Sequence, residues 1–317
     1  MDLLREILLA ERRIRHAIRE TPLEHSADLS RACGAPVYLK LENLQETGSF
    51  KFRGAVNKIA ALAPAQRQAG VVAASTGNHG AAVACAAARA GIPSTIFVPE
   101  GASPVKMAAM HRMGAAIRVH GRDCVEAEMH ARTYAAENGA VYISPYNDPQ
   151  VVGGQGTVGV EIARQLDRVD RVFVALGGGG LISGIAGYLK ALDGGVRIYG
   201  CSPENSCVMV RSVRAGRILA LESKPTLSDG TAGGIEPGSI TFDLCRKLVD
   251  EYVLVSEAEI ARALRSFIES HHMLIEGAAA VALAAFHKVA CGGNDARQVI
   301  VLCGANIAPE TLKSVLQ

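Results

Sequence analysis

The chain has 317 residues, 49% of them hydrophobic, with 33 basic against 31 acidic side chains and a formal net charge of +2. Such a length buries a large core as two globular units or one large α/β body, and so even a charge balance gives no reason to expect nucleic acid, an anionic membrane or a strongly charged partner. Small neutral or zwitterionic ligands suit it better; eight cysteines scattered without a CxxC pair argue against zinc or a disulfide framework and for a reducing cytoplasm.

Residues 2–20 read as an amphipathic helix that stops at Thr21-Pro22, because the residue before a proline is pushed out of the helical region. Charges at Asp2, Arg5, Glu6, Glu11, Arg12 and Arg13 interrupt any apolar signal-peptide core there. Short β-branched runs follow at 36–39, 70–73, 94–98 and 116–119, then at 171–176, 196–201, 252–255 and 298–302. Helical patterns separate most of them, which predicts an α/β fold of parallel sheets wound with helices on both faces. The glycine-rich stretch 230–238, "GTAGGIEPG", reads as a loop. Ser256 and Glu259 have capping-box spacing between the strand-like "YVLV" and the periodic "IARALRSFIESH". The Ala-rich run 277–286 is too short to span a bilayer and predicts a packed core helix.

Lys51 stands between Phe50 and Phe52 in "GSFKFRG", in a chain with seven Phe and no Trp. It is either a surface cation with a snorkelling stem or an amine held in a dry pocket, where it loses its proton and becomes reactive. Three strand ends carry unusual loops, and in wound α/β sheets ligands gather outside the carboxyl ends of strands. In "VFVALGGGGLISGIAG" the glycines Gly177, Gly178, Gly179 and Gly180 open a helix, where free backbone N–H groups and the helix dipole suit a phosphate; the alternative is a tight turn with close packing. Neither nucleotide fingerprint fits, since Ser183 stands where G-x-G-x-x-G needs Gly or Ala and no Gly-Lys-Ser/Thr follows. In "VVAASTGNHGAAVA" Ser75, Thr76, Asn78 and His79 suit a carboxylate and a ring hydroxyl better than a metal, and His79 is either a general base or a structural histidine. In "QVIVLCGANIAPE" Cys303 and Asn306 lie just past an apolar strand, where the thiol is either a small buried hydrophobe or part of a site. Cys291-Gly292-Gly293-Asn294 also spells C-G-G-N and reads as a turn. A reactive lysine, a phosphate cradle and a carboxylate loop together call for a phosphorylated aldehyde that condenses with Lys and then with an amino acid, which is pyridoxal 5'-phosphate.

The motifs "GSFKFRGA", "STGNHGAAVA", "GGQGTVGVEI", "GGGGLISGIAG", "EGAAAVALAA" and "LCGANI" resemble, in order and spacing, those of the serine/threonine dehydratase group of fold-type II pyridoxal-phosphate enzymes, which also includes serine racemase. The resemblance runs from about Thr21 to Asn306. It implies two open, twisted, mainly parallel sheets like those of the tryptophan synthase β chain. It further implies that Lys51 carries the cofactor as a Schiff base, that Phe50 packs beside it, and that Asn78 bonds its ring hydroxyl. Gly177, Gly178, Gly179, Gly180 and Leu181 would hold the phosphate, Glu276 would sit near the ring, and Cys303 would face the pyridine nitrogen. Ser75, Thr76, Asn78, His79 and Gly80 would take the substrate carboxylate.

A neutral thiol at that nitrogen favours elimination over transamination. The implied activity is conversion of L-threonine, L-serine or a related 3-hydroxy amino acid to a 2-oxo acid and ammonia, with Lys51 as α-proton base. The alternatives are a racemase, or a dehydratase for a bulkier substrate such as phenylserine or 3-hydroxyaspartate. Thr76 stands where the family's racemase uses a serine, and its extra methyl ranks racemisation below elimination. Where the racemase has E-P-S-N-A-D-D, "SPENSCV" puts Ser202 and Val208 in place of two ligand carboxylates, so no metal site is expected there. Gly233, Gly234 and Glu236 replace a Ser-bearing loop, which either enlarges the substrate pocket or shapes a turn. The expected architecture is a large cofactor-binding domain, residues 1–68 and 149–317, around a small mobile domain, residues 69–148, whose closure would bring the 75–80 loop onto the substrate. The family suggests a homodimer with an amino acid as its small-molecule partner.

Overall fold

The computed structural model describes residues 1–289 and 295–317, so the turn expected at 291–294 lies outside the described residues. In chain order the strands are β1 (Leu23–His25), β2 (Val37–Lys40), β3 (Val71–Ala74), β4 (Ser94–Val98), β5 (Ala116–Val119), β6 (Val141–Tyr142), β7 (Arg171–Ala175), β8 (Arg197–Pro203), β9 (Glu251–Val255) and β10 (Gln298–Val301). The larger sheet runs β1-β2-β10-β7-β8-β9 and is parallel except for β1. The smaller sheet, β5-β4-β3-β6, is parallel throughout. Every predicted run is a strand, whereas β1 and β6, of three and two residues, are too short to show an alternation.

Strand β10 enters the larger sheet between β2 and β7, with Val299 opposite Tyr38 on one side and Val172 on the other. Both ends of the chain therefore build one sheet, and the strands between residues 71 and 142 build the other. The helix Gly277–Lys288 lies in the core of the larger layer, buried at every residue from Gly277 to Phe286, as the Ala-rich run predicts. The smaller core gathers Val71, Ala73, Ile96 and Val98 with Phe52 and Ile59 of the helix Lys51–Ala60.

The N-terminal helix covers Leu3–Ile14 and ends well before Thr21-Pro22. Past it, Arg15 reaches the Glu161 carboxylate at 2.7 Å, and the chain turns to deliver Thr21, whose Oγ1 donates to Glu42 at 2.5 Å. In "GSFKFRG" an extended segment would alternate its faces and send Phe52 away from Lys51. Lys51 instead opens a helix, and both Phe52 and Arg53 are fully buried. The Arg53 guanidinium is gripped by two carboxylates at once. Nε and Nη2 donate to Glu42 at 2.7 and 2.8 Å, Nη1 and Nη2 to Glu161 at 2.7 and 2.8 Å. Lys40 Nζ adds a bond to Glu161 at 2.6 Å. Burial by itself would raise the Glu161 carboxyl, but the bonds and charge of Arg53, followed by Lys40, outweigh it and pull the group down to about 2.

The glycines of "GGQGTVGVEI" sit inside the helix Pro149–Gln165, where each costs about 1 kcal/mol of helix propensity relative to Ala. Close packing accounts for them. A Cβ on Gly154 would fall 2.7 Å from the Arg53 carbonyl oxygen, and one on Gly184 would fall 2.8 Å from Gly156 Cα. Helices Lys51–Ala60 and Gly180–Leu192 thereby press directly onto this central helix. Cys33 is disulfide-bonded, a pairing that the scattered cysteine spacing did not anticipate.

Candidate active site

A cleft runs between the two sheets, lined among others by Phe50, Lys51, Asn78, Tyr146, the glycine turn, Thr231, Glu276 and Cys303. Lys51 reaches it from the first turn of its helix. Its Nζ donates to the Pro145 carbonyl at 2.9 Å and lies 5.2 Å from the centre of the Phe50 ring. Burial, opposed by Cys303 and Glu276, lowers the amine from 10.5 to about 8. A larger fraction of this lysine is therefore neutral and nucleophilic near pH 7 than of an exposed one.

Opposite Lys51, β7 gives way to the glycine turn and the helix Gly180–Leu192. Gly179 has φ +85°, and a Cβ there would come within 2.8 Å of Cys245 Sγ; one on Gly177 would come within 2.7 Å of the Thr231 carbonyl oxygen. Gly178 lies against the Tyr146 ring, which leaves no room for a side chain. The bond from Ser183 N to Gly179 O, 3.0 Å, begins the helical ladder. The amides of Gly180, Leu181 and Ile182 precede it and have no acceptor within the helix, so they and the helix dipole form an anion cradle.

The 75–80 loop follows β3 in the same manner. Gly77 N donates to Ser75 Oγ at 3.1 Å, and the first bond of the helix Asn78–Arg89 comes from Ala81 N, leaving the amides of Asn78, His79 and Gly80 ahead of the ladder. Ser75 and Thr76 are half-buried beside these amides. Gly80 packs on its own turn, where a Cβ would meet Met110 Sδ at 2.8 Å. Asn78 Nδ2 donates to both oxygens of Glu276 at 2.9 and 3.0 Å, and its Oδ1 accepts from Asn306 Nδ2 at 2.6 Å. His79 is buried and its Nε2 lies 2.8 Å from the Ile143 carbonyl, which can only accept, so that nitrogen carries the proton. Burial, then the charge of Lys51, pushes the imidazole down to about 3. It stays neutral through the physiological range.

A family model described as "Pyridoxal-phosphate dependent enzyme" matches residues 14–304. The chain belongs to that family. It is 44% identical to the L-threonine ammonia-lyase of Thermotoga maritima over 308 residues, 97% of this chain and 76% of that one. It is 38% identical to the catabolic L-threonine dehydratase of Escherichia coli K12 over 95% of this chain and 92% of the relative. Among solved structures it superposes on maize serine racemase with a TM-score of 0.92 at 32% identity, covering 98% of this chain and 95% of the other.

The cleft suits pyridoxal phosphate on its own chemistry. It offers a lysine amine brought toward neutrality, an anion cradle facing it, and Cys303, buried beside both. Burial and then Glu276 push the Cys303 thiol well above 9, so it remains an uncharged S–H. Glu276 is itself nearly fully buried, and burial raises its carboxyl despite the bonds from Asn78 and from Asn306 N. The sequence pointed to Asn306 only by its place past β10, and it gave no signal for Pro145, Tyr146 or Thr231. Pro145 and Tyr146 lie in an irregular segment and Thr231 ends a single 3-10 turn, and their place is visible only once the sheets bring them to the glycine turn. Ser202 Oγ is spent on the Leu176 and Ser206 carbonyls at 3.1 and 3.4 Å, and Val208 is buried in the core. Among the described residues no cluster of three or more His, Cys, Asp or Glu side chains is placed to hold a metal ion.

Proposed function

We propose that this pyridoxal-phosphate dependent enzyme is a lyase that converts L-threonine, L-serine or a related 3-hydroxy amino acid to a 2-oxo acid and ammonia by α,β-elimination. The observation that carries the reading is the Lys51 amine, held near 8 between the glycine turn and an uncharged Cys303. When bound, pyridoxal phosphate supplies an electron sink conjugated to the substrate α-carbon. Lys51 and the turn amides of Gly180 and Leu181 would hold it, with Phe50 and Asn78 beside it.

The substrate carboxylate is read as lying on the amides of Asn78, His79 and Gly80, with the Ser75 and Thr76 hydroxyls alongside. Lys51 Nζ takes the α-proton, the Cβ–O bond breaks with its electron pair on oxygen, and the hydroxyl takes up one proton and leaves as water. The released enamine tautomerises to an imine, which one water hydrolyses to the 2-oxo acid and ammonia. Cys303 donates no charge to stabilise a long-lived carbanion, which favours departure of the 3-hydroxyl over reprotonation. His79 is not assigned the base, because its Nε2 proton is committed to Ile143 and its side chain resists protonation.

Residues 69–148 are taken as the layer that closes on the substrate. Cytoplasmic location and a homodimer belong to the same proposal, the first resting on the six free thiols Cys85, Cys124, Cys201, Cys207, Cys245 and Cys303, the second on the family resemblance. The deciding experiment is a panel of 3-hydroxy amino acids, both diastereomers of each, assayed for 2-oxo acid alongside chiral analysis of the recovered substrate. Release of 2-oxo acid from threonine or serine is the expected result. Inverted substrate with no 2-oxo acid would replace the lyase by a racemase.

A further inference from the structure

We propose that Glu236 is a positioning residue. It pins the segment 144–147, and through that segment it sets Lys51 against the glycine turn. The inference rests on the reading of Lys51 and the turn as the cofactor site.

Four consecutive residues divide their contacts between the site and Glu236. Pro145 O accepts the Lys51 amine at 2.9 Å, the Tyr146 ring lies against Gly178, and the Tyr146 Cβ and backbone lie against Gly180. On either side of them, Ser144 Oγ and Asn147 Nδ2 both donate to the Glu236 carboxylate, at 3.3 and 2.9 Å. The far end of the Tyr146 ring is held by the same residue, because Glu236 N donates to its Oη at 2.9 Å. Segment 144–147 lies between β6 and the helix Pro149–Gln165 and has no ladder of its own, so side-chain bonds fix where its carbonyl and its ring stand.

Glu236 is anchored in turn. Its carboxylate pairs with Arg132 at 2.7 Å, and that guanidinium lies 4.2 Å over the ring of Tyr142 in β6 while also bonding Glu128 at 2.8 Å. Arg132 belongs to the helix Cys124–Glu137 beside the smaller sheet, whereas Glu236 follows Thr231, which closes on Gly177 of the larger sheet's turn. The Glu236 carboxylate thus ties a helix of the smaller layer to the segment that carries the Lys51-binding carbonyl, while its backbone N–H holds the ring that packs the turn. A carboxylate accepting several polar and charged donors at once stiffens a loop more than any single neutral bond would.

The test uses the full-length protein freed of cofactor, wild type and Glu236→Ala, Glu236→Gln and Tyr146→Phe, each checked for folding by circular dichroism. Two quantities are read without turnover: the Kd for pyridoxal 5'-phosphate by absorbance titration, and the pH midpoint of Lys51 acetylation followed by mass spectrometry. Glu236→Ala is expected to weaken cofactor binding about tenfold, the loss of roughly one charge-assisted bond. It is also expected to lower the Lys51 midpoint, because the Pro145 carbonyl no longer stays on the charged amine. Glu236→Gln keeps an acceptor but no charge and should fall between, while Tyr146→Phe should weaken binding with a smaller change in the midpoint. Should Glu236→Ala not fold, the other two variants decide between the outcomes. Folded variants with wild-type Kd and wild-type midpoint, even if less heat-stable, would overturn the proposal. A wild-type protein that binds no pyridoxal phosphate would instead sink the cofactor reading, and the Lys51 midpoint would still judge Glu236.

Discussion

Replacing Arg53 by methionine keeps the length of the side chain and removes the guanidinium that two buried carboxylates share. Glu42 and Glu161 are then left facing each other, with Lys40 bonded to Glu161 at 2.6 Å. The magnitude follows from Glu161, whose carboxyl the folded protein brings from 4.5 to about 2 against the opposing effect of burial, with Arg53 the leading favourable cause. At 1.36 kcal/mol per pH unit this amounts to about 3 kcal/mol, in line with roughly 3–5 kcal/mol for removing one partner of a buried pair. The sign is fixed by the direction of the shift. A carboxyl whose folded value is depressed contributes its stability fully above 4.5 and loses it as the pH falls toward 2. Urea unfolding of wild type and Arg53→Met between pH 7 and pH 3 should show the variant about 3 kcal/mol weaker at pH 7 and the gap closing below about pH 4.5. A gap under about 1 kcal/mol at pH 7, or one that stays constant down to pH 3, would refute the reasoning, since neither is compatible with a charge pair as the source.

Lys51→Ala should abolish both the absorbance that borohydride fixes to the protein and the release of 2-oxo acid; turnover above a tenth of wild type would remove Lys51 from its assigned role. Gly179→Ala places a side chain at φ +85° and 2.8 Å from Cys245 Sγ. The left-handed backbone alone costs about 1–2 kcal/mol, so the Kd for pyridoxal phosphate should rise about tenfold, and an unchanged Kd would mean that the turn does not hold the phosphate. His79→Gln keeps a donor for the Ile143 carbonyl and, with the imidazole already pushed down to about 3, should leave the pH dependence of kcat unchanged from pH 6 to pH 9. Loss of a limb near pH 6–7 in that variant would restore the histidine as a general base.

The wound α/β architecture was legible because each interior strand is buried on both faces and spells a β-branched run, as in "RVFVAL" and "QVIVL". The same logic hides β1, an edge strand whose Glu24 and His25 are exposed, and β6, which pairs with β3 through only Val141 and Tyr142. The glycine turn was legible for a different reason: a close-packed helix start with free amides needs residues without side chains, and "GGGG" before a helix announces that need directly. Alternation fails at Phe52 because the segment is helical, and nothing in the motif marks Arg53 as the partner of two carboxylates. Two residues past Lys51, that helix turns the guanidinium to Glu42 and Glu161, which lie 11 and 108 positions away in sequence. Glu236 was noticed as a departure, but its partners Ser144, Asn147 and Arg132 become neighbours only when the two layers meet. A pattern of residue types records which face is apolar; it does not record which distant charges will share a pocket.

The electrostatics of the cleft favour Lys51 for the proton transfer of the proposed reaction. Asn78, Glu276 and Asn306, from a helix start, the residue before another helix and the segment past β10, close into a ring: Asn78 and the Asn306 backbone amide donate to Glu276, and Asn306 Nδ2 donates to Asn78. The ring stands directly beside Cys303, for a Cβ on the next residue, Gly304, would fall 2.7 Å from the Glu276 carboxyl carbon. Burial and that carboxyl drive the thiol further from ionisation, while burial and Lys51 drive His79 further from protonation. The same burial brings the Lys51 amine from 10.5 to about 8. One low-dielectric environment thus moves the titrations of two groups away from neutral pH in opposite directions and draws the third toward it. A base that must accept a proton from carbon and then give it up needs such an intermediate affinity, and among these three groups only Lys51 is moved toward it, which is what supports its proposed role.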